Sequence, residues 1–143
     1  MAEDKLQLQR FELKYMVNEE AALAVRNFVS TYLQIDEYGA TRPNLSYPVH
    51  SLYLDSDELT TYWHTINGNK NRFKLRLRFY EHQPTAPVYF EIKRRANDAI
   101  LKQRGAVRRE AVDWLLAGHL PEPAHLASDN ARQLGALQRF SEL

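Results

Sequence analysis

The chain has 143 residues, of which 44% are hydrophobic and 26% are charged, and its formal net charge is +1. This size and composition are typical of about one globular domain. The absence of cysteine excludes disulfides, thiolate metal sites and cysteine nucleophiles. No run approaches the roughly 18 apolar residues of a membrane-spanning helix, and the polar N-terminus does not resemble a signal peptide, so we expect a cytoplasmic protein without a membrane segment.

The first predicted element is a strand at residues 10–17, RFELKYMV. Apolar residues alternate there with Arg10, Glu12 and Lys14, which is the period of a strand with one apolar and one polar face. The polar face of this strand therefore carries two cations and one carboxylate.

Two helices and a strand are predicted next. A helix at 19–33 is expected because Asn18 can cap it and two glutamates occupy its first turn. Residues 34–47 contain glycine, proline and asparagine and are predicted to form a loop. A strand at 49–54 and a short helix at 57–66 follow.

Apolar residues at helical spacing predict a buried stripe on each of these helices. The residues expected to be buried are Leu23, Val25, Phe28, Val29 and Tyr32 in the first, and Leu59, Tyr62, Trp63 and Ile66 in the second. Trp114, in a later helix, is likewise expected in the core. Asp55 is expected to end its strand and to help the following helix begin.

The most informative segment is the run KNRFKLRLRFY at residues 70–80, which predicts a strand at 71–81. Successive side chains of a strand point to opposite faces, so the apolar residues share one face and the cations share the other. The cations of this row, about 6.6 Å apart, are Lys70, Arg72, Lys74, Arg76 and Arg78. Such a row repels itself unless an anion lies across it, and its spacing suits a chain of phosphates.

The remaining pattern predicts strands at 88–95 and 100–107 and helices at 108–117 and 129–141. Five strands and four helices indicate an α+β fold with a mainly antiparallel sheet. We expect this sheet to curl toward a β-barrel, within a single domain at 1–143.

Polar faces of four predicted strands carry eleven side chains, nine of them basic. These are Arg10, Glu12, Lys14, Arg72, Lys74, Arg76, Arg78, Glu91, Lys93, Lys102 and Arg104. A curled sheet would focus their positive potential, and arginine and lysine bind phosphate oxygens. Glu12 and Glu91 are predicted to hold Mg²⁺ or Mn²⁺, which favour carboxylate and phosphate oxygens.

Two other interpretations of this pattern stay open. An antiparallel sheet can present such a face to water, with its E-x-K pairs forming ordinary surface salt bridges. Nucleic-acid binding would need aromatic rings among the cations. Phe73 and Phe79 are predicted on the apolar face, which leaves only Tyr80 and Tyr89 on the polar side and disfavours this function.

The segments RFELKYMV, SLYLDS, RFKLRLRFY, YFEIKRR and KQRG, in this order across residues 10–107, resemble the VTC domain. This is the polyphosphate polymerase domain of the triphosphate tunnel metalloenzyme, or CYTH-like, superfamily. The resemblance implies an antiparallel tunnel of basic residues that binds Mn²⁺ or Mg²⁺. It also implies a phosphotransferase that moves the γ-phosphoryl of ATP onto polyphosphate.

Residue roles follow from the same resemblance. Those implied in catalysis are Lys14, Arg76, Arg78 and Lys93. Those implied in phosphate binding are Arg10, Lys14, Lys74, Arg76, Arg78, Lys93, Lys102 and Arg104. Arg10 and Glu12 occupy the place of the E-x-E-x-K signature of related tunnel enzymes, with Arg10 replacing its first glutamate.

The family's tunnel has a second half, whose arginines, lysines and metal-binding glutamate have no counterpart among the predicted strands. Five strands do not close a tunnel by themselves. We therefore expect the N-terminal part of a VTC-like domain, completed by a second tunnel half or by a second copy in a homo-oligomer. The alternatives are a non-catalytic module that binds polyphosphate or another phosphorylated ligand, and a tunnel-type triphosphatase.

Overall fold

The computed structural model describes residues 13–143. This part of the chain divides into two compact units, with the boundary between Pro48 and Val49. Of the strand predicted at 10–17, residues 10–12 lie outside the described residues. Residues 13–17 form no strand, so this part of the prediction is wrong. Alternation satisfies the period of a strand, but a strand also needs a hydrogen-bonded neighbour, and the described residues of this unit contain no strand.

The unit before Val49 contains two short helices. Helix α1, Glu19–Val29, is capped by Asn18, whose side-chain oxygen accepts a 2.9 Å hydrogen bond from a first-turn N–H. It ends before the predicted limit at residue 33. The segment predicted as a loop contains helix α2, Glu37–Ala40, and a 3₁₀ turn, Pro43–Leu45. The loop prediction missed these turns because elements of three or four residues have no recognisable hydrophobic period.

The prediction that α1 has a buried apolar stripe is wrong. No residue of α1 is buried, and Phe28 is 66% exposed. The ring of Phe28 lies 5.2 Å from that of Tyr32, which is also exposed. An apolar stripe is buried only where another element covers it, and no described element of this unit does so.

The unit from Val49 onward is built on one antiparallel sheet. Its strands are β1, His50–Leu54; β2, Asn71–Phe79; β3, Val88–Ala96; and β4, Ala99–Val107. They lie side by side in chain order, and the sheet of the described residues is not closed into a barrel. With its flanking helices, this sheet confirms the predicted α+β fold.

Helices follow the first and last strands of this unit. They are α3, Thr60–Ile66; α4, Val112–Leu116, preceded by the 3₁₀ turn Arg109–Ala111; and α5, Ala131–Ser141. The helix predicted at 108–117 is thus split between a 3₁₀ and an α segment. Within residues 13–143, no helix combines the length and apolarity that crossing a membrane requires.

Asp55 connects β1 to α3. Its carboxylate accepts hydrogen bonds from the N–H groups of Thr61, at 2.8 Å, and Tyr62, at 2.9 Å. N–H groups in the first turn of a helix have no partner inside the helix, so these bonds stabilise its start. This confirms the role predicted for Asp55. Burial tends to raise the pKa of Asp55, but the hydrogen bonds from Thr61, Tyr62 and Ser56 outweigh it, and its pKa is lowered.

The core lies between the apolar face of the sheet and helices α4 and α5. It contains Leu77, Val88, Phe90, Ile92, Val107, Ala111, Leu115, Leu126, Leu137 and Phe140. Gly105 permits the close approach of α5, because a Cβ atom at this position would lie 2.7 Å from Cγ of Leu137. One face of the sheet is thereby covered, and the polar side chains are directed to the other.

Trp63 and Trp114, predicted as core residues, are 51% and 53% exposed. The other residues predicted to pack inward from α3 are also exposed: Leu59, Tyr62 and Ile66. Helical spacing shows which residues share a stripe, but whether another element covers that stripe depends on packing between distant parts of the chain. These predictions are therefore wrong.

Candidate functional site

The polar face of the sheet carries eight basic side chains, which we call the cation face. They are Arg72, Lys74, Arg76 and Arg78 on β2, Lys93 and Arg95 on β3, and Lys102 and Arg104 on β4. Strand alternation places them on one side, as the sequence predicts. Within the four described strands, Glu91 is the only carboxylate.

Strand register aligns three lysines in one row across the sheet. Lys74 lies opposite Lys93, and Lys93 lies opposite Lys102. Side chains directly opposite each other on antiparallel strands have Cβ atoms about 5 Å apart, and like charges in this position are destabilising. This lysine row is therefore unfavourable by itself, and Glu91, whose Oε1 lies 3.3 Å from Nζ of Lys102, offsets the repulsion at only one end of the row.

The neighbouring row consists of Arg76, Glu91 and Arg104, which the register places opposite one another. Oε2 of Glu91 accepts a hydrogen bond from Nε of Arg76 at 2.5 Å. Oε1 lies 3.3 Å from Nζ of Lys102 and 3.7 Å from Nε of Arg104. The side chain of Glu91 is only 1% exposed, so one buried carboxylate faces three cations.

These contacts keep both Glu91 and Arg76 charged. Burial by itself raises the pKa of Glu91, but the hydrogen bond from Arg76 and the charges of Lys102, Arg76 and Arg104 outweigh it. The net effect is a lowered pKa for Glu91. Burial likewise tends to lower the pKa of Arg76, whereas its contacts with Tyr53 and Glu91 raise that pKa above its ordinary value. Glu91 and Arg76 therefore both stay ionised at neutral pH.

Two tyrosines hold cations of this face by their rings or hydroxyls. Nη1 of Arg76 donates to the hydroxyl of Tyr53 at 3.3 Å, and this bond and the nearby cations lower the pKa of Tyr53 despite burial. The guanidinium of Arg104 lies 3.6 Å from the ring centre of Tyr89. Such cation–π contacts restrict the orientation of the guanidinium plane.

Sequence reasoning missed Tyr53 and Ser51. Ser51 accepts a 3.1 Å hydrogen bond from Nε of Arg78, which it faces across β1 and β2. Both residues occupy odd positions in SLYLD, where the even positions are leucines, so the alternation of β1 could have placed them on the polar face. Their proximity to particular arginines depends on the register of two strands and is not visible in the segment itself.

The structure brings most of the predicted site residues together on the sheet: Lys74, Arg76, Arg78, Glu91, Lys93, Lys102 and Arg104. Arg10 and Glu12 lie outside the described residues. Lys14 lies before α1 in the other compact unit, in a segment without helix or strand. The catalytic and phosphate-binding roles of all these residues stay predictions.

The described residues around Glu91 do not provide a suitable set of ligands for a divalent metal. Mn²⁺ and Mg²⁺ prefer several oxygen ligands, and Glu91 is a single carboxylate whose two oxygens already face cations. Among residues 13–143, no cluster of three or more histidine, aspartate or glutamate side chains could hold a metal ion. The second predicted ligand, Glu12, lies outside this range.

A model of the VTC domain family matches residues 9–142, nearly the whole chain. The chain belongs to the VTC domain family. The resemblance of its strand motifs to this family is thereby confirmed, and the CYTH-like placement is consistent with it. Membership of the VTC family indicates a polyphosphate-related function. Comparisons with curated proteins and with solved structures found no match.

Proposed function

We propose that the cation face of this VTC domain binds the phosphate chains of ATP and polyphosphate. In this proposal the protein is a phosphotransferase of the polyphosphate polymerase type, which moves the γ-phosphoryl of ATP to the end of a polyphosphate chain. It would act in the cytoplasm, as the sequence predicts. A bound chain of phosphates would place negative charge across several rows of the sheet at once.

The lysine row carries this proposal. Three lysines directly opposite one another repel, and the described strands offer only Glu91 as an anion nearby. A solvated face does not require this arrangement, since opposite charges across neighbouring strands are the stabilising pairing and like charges are destabilising. A polyanion lying across the strands would neutralise Lys74, Lys93 and Lys102 together. Family membership supports phosphate as that anion.

Phosphoryl transfer needs mainly positioning and charge stabilisation. The bond from the γ-phosphorus to the bridging oxygen of ADP breaks, and a terminal oxygen of polyphosphate forms the new phosphorus–oxygen bond. Arg76 and Arg78 would hold nonbridging oxygens, and the lysine row would hold the acceptor chain. Metal binding, predicted from the sequence, supplies no step here because the described residues do not fit a metal.

A non-catalytic module that binds polyphosphate is the second candidate. The open edge of the described sheet favours it, because an open sheet surrounds a ligand on fewer sides than a closed tunnel does. The two candidates share the cation face and differ in turnover. Incubation with ATP and a short polyphosphate primer, followed by measurement of ADP and of chain length, separates them. ADP release without chain growth would favour the triphosphatase alternative.

Binding is tested with two neighbouring residues on opposite faces of β3. Lys93 belongs to the lysine row, whereas Arg94 points to the other face and is exposed. We expect Lys93→Gln to weaken tripolyphosphate binding by about 1–2 kcal/mol, because a charge-assisted hydrogen bond is lost. Arg94→Gln removes the same charge and should leave the affinity unchanged within about twofold. Calorimetric titration of both variants and the unmodified chain gives the comparison.

Equal losses in the two variants would mean that only the overall charge matters, and would contradict the proposed site. A single-stranded oligonucleotide of similar charge serves as the second ligand. Binding of the oligonucleotide in preference to tripolyphosphate, with the same dependence on Lys93, would favour nucleic acid instead.

A further inference from the structure

We propose that Glu91 is a built-in counter-anion that competes with the bound phosphate chain for Arg76, Lys102 and Arg104. It thereby lowers the affinity of the cation face for its ligand. This inference rests on the proposed function and assigns Glu91 a role different from metal binding.

The first observation is the position of the carboxylate. Glu91 lies in the row of Arg76 and Arg104, which is next to the lysine row, and its side chain is 1% exposed. A buried charge needs compensation by partners of opposite sign. The described partners are all members of the cation face: Arg76, Lys102 and Arg104. Glu91 therefore occupies the electrostatic place that a phosphate group would otherwise take among them.

The second observation is that Glu91 satisfies these cations incompletely. Oε1 of Glu91 and Nε of Arg104 are both buried, and neither has a hydrogen-bond partner among the described residues. Their separation of 3.7 Å is too long for a hydrogen bond. A buried donor without an acceptor is costly, so the single carboxylate of Glu91 leaves part of the hydrogen-bonding and charge demand of Arg104 unmet.

Removal of the Glu91 charge has two opposing effects on phosphate binding. It removes an anion that repels the phosphates, and it weakens the hydrogen bond that holds Arg76 in position. Arg76 is not released completely, because a glutamine amide oxygen can still accept a hydrogen bond from its Nε, and its Nη1 still donates to the hydroxyl of Tyr53. Arg104 keeps its contact with Tyr89. At the short distances of this face, charge repulsion is the larger effect.

The test compares Glu91→Gln with Glu110→Gln in the full 143-residue chain. Both changes remove one negative charge, but Glu110 is exposed and lies in the 3₁₀ turn before α4, outside the cation face. Tripolyphosphate is titrated into each variant by calorimetry, once with EDTA and once with Mn²⁺. We expect Glu91→Gln to bind about tenfold more tightly than the unmodified chain in EDTA. Glu110→Gln should match the unmodified chain within about twofold.

Two results would overturn the inference while leaving the proposed function intact. One is unchanged or weaker binding of tripolyphosphate by Glu91→Gln in EDTA. The other is a gain from Mn²⁺ in the unmodified chain that Glu91→Gln loses, since this would identify Glu91 as a metal ligand. Absence of tripolyphosphate binding by the folded, unmodified chain would instead overturn the proposed function and the inference with it.

A variant that fails to fold is recognised by circular dichroism, and Glu91→Asp then replaces it. Aspartate keeps the charge but withdraws the carboxylate toward the backbone by about one carbon–carbon bond, away from Arg76 and the ligand. We expect a smaller tightening of tripolyphosphate binding, by about threefold. Unchanged or weaker binding by Glu91→Asp would overturn the inference.

Discussion

Glu91 shows how a single side chain can couple charge to stability. Its carboxylate is buried among Arg76, Lys102 and Arg104, and the pKa of Glu91 is lowered by their hydrogen bond and charges despite burial. A lowered folded-state pKa means that folding favours the ionised form. This stabilisation is present above the unfolded-state pKa of about 4.3 and disappears as the pH falls through the lower folded-state value.

We expect the free energy of unfolding to fall as the unmodified chain is acidified from about pH 5 toward pH 3. Glu91→Gln should be less stable at pH 7, by about 1–3 kcal/mol, because Arg76, Lys102 and Arg104 lose their anion. It should also lose less stability on acidification. Urea denaturation at several pH values measures both effects, with Glu110→Gln as the control. Parallel pH curves for the two glutamine variants would contradict this assignment.

At the scale of elements, the packing of α5 on β4 depends on Gly105. Its missing side chain leaves room for Leu137, which is 2% exposed, and for the backbone oxygen of Gln133. The side chain of Gln133 in turn accepts a 2.9 Å hydrogen bond from the N–H of Ala106. This contact holds the helix against the covered face and so fixes which face of the sheet remains for the cations.

Two glycine-to-alanine changes test this packing. Gly105→Ala would place Cβ 2.7 Å from Cγ of Leu137 and 3.1 Å from the Gln133 oxygen, so we expect a loss of about 1–3 kcal/mol of stability. Gly135→Ala, inside α5, meets only the end of Arg139 at 3.7 Å and should gain about 0.5–1 kcal/mol. Urea denaturation measures both changes. Unchanged or increased stability of Gly105→Ala would show that the approach of α5 does not depend on Gly105.

For the whole molecule, the distribution of charge matters more than its sum. The net charge is only +1, yet one face of the sheet collects eight cations and a single carboxylate. Such a face attracts anions locally, and its field extends about one Debye length into the solvent. A ligand that spans several rows of the face gains more from it than a ligand that occupies one row.

Phosphate chain length and ionic strength should therefore act together. We expect tripolyphosphate to bind at least about tenfold more tightly than orthophosphate in 0.1 M salt, where the Debye length is about 10 Å. In 1 M salt, where it is about 3 Å, the difference should shrink to less than about threefold. Calorimetry with both ligands at both salt concentrations measures this. Equal affinities in 0.1 M salt would argue against a ligand that lies across the rows.

Strand faces could be predicted from the sequence because alternation is a local property. The cations of RFKLRLRF lie on one face of β2 as predicted, and Asp55 begins α3 as predicted, since both depend on residues within a few positions of each other. Burial was predicted less well: Trp63 and Trp114 have helical spacing but are half exposed. Coverage of a stripe depends on elements distant in the chain, which a local period does not describe.

The sequence by itself determined the class of the fold, the two faces of β2, β3 and β4 and the family. Tertiary structure decided which charges meet. Arg76 and Glu91 are 15 positions apart, and their contact requires one register of β2 against β3, as the lysine row requires the register of three strands. A shift by one residue would turn every side chain of a strand to the other face. Register is fixed by turns and by packing against α5, so no single segment of the sequence specifies it.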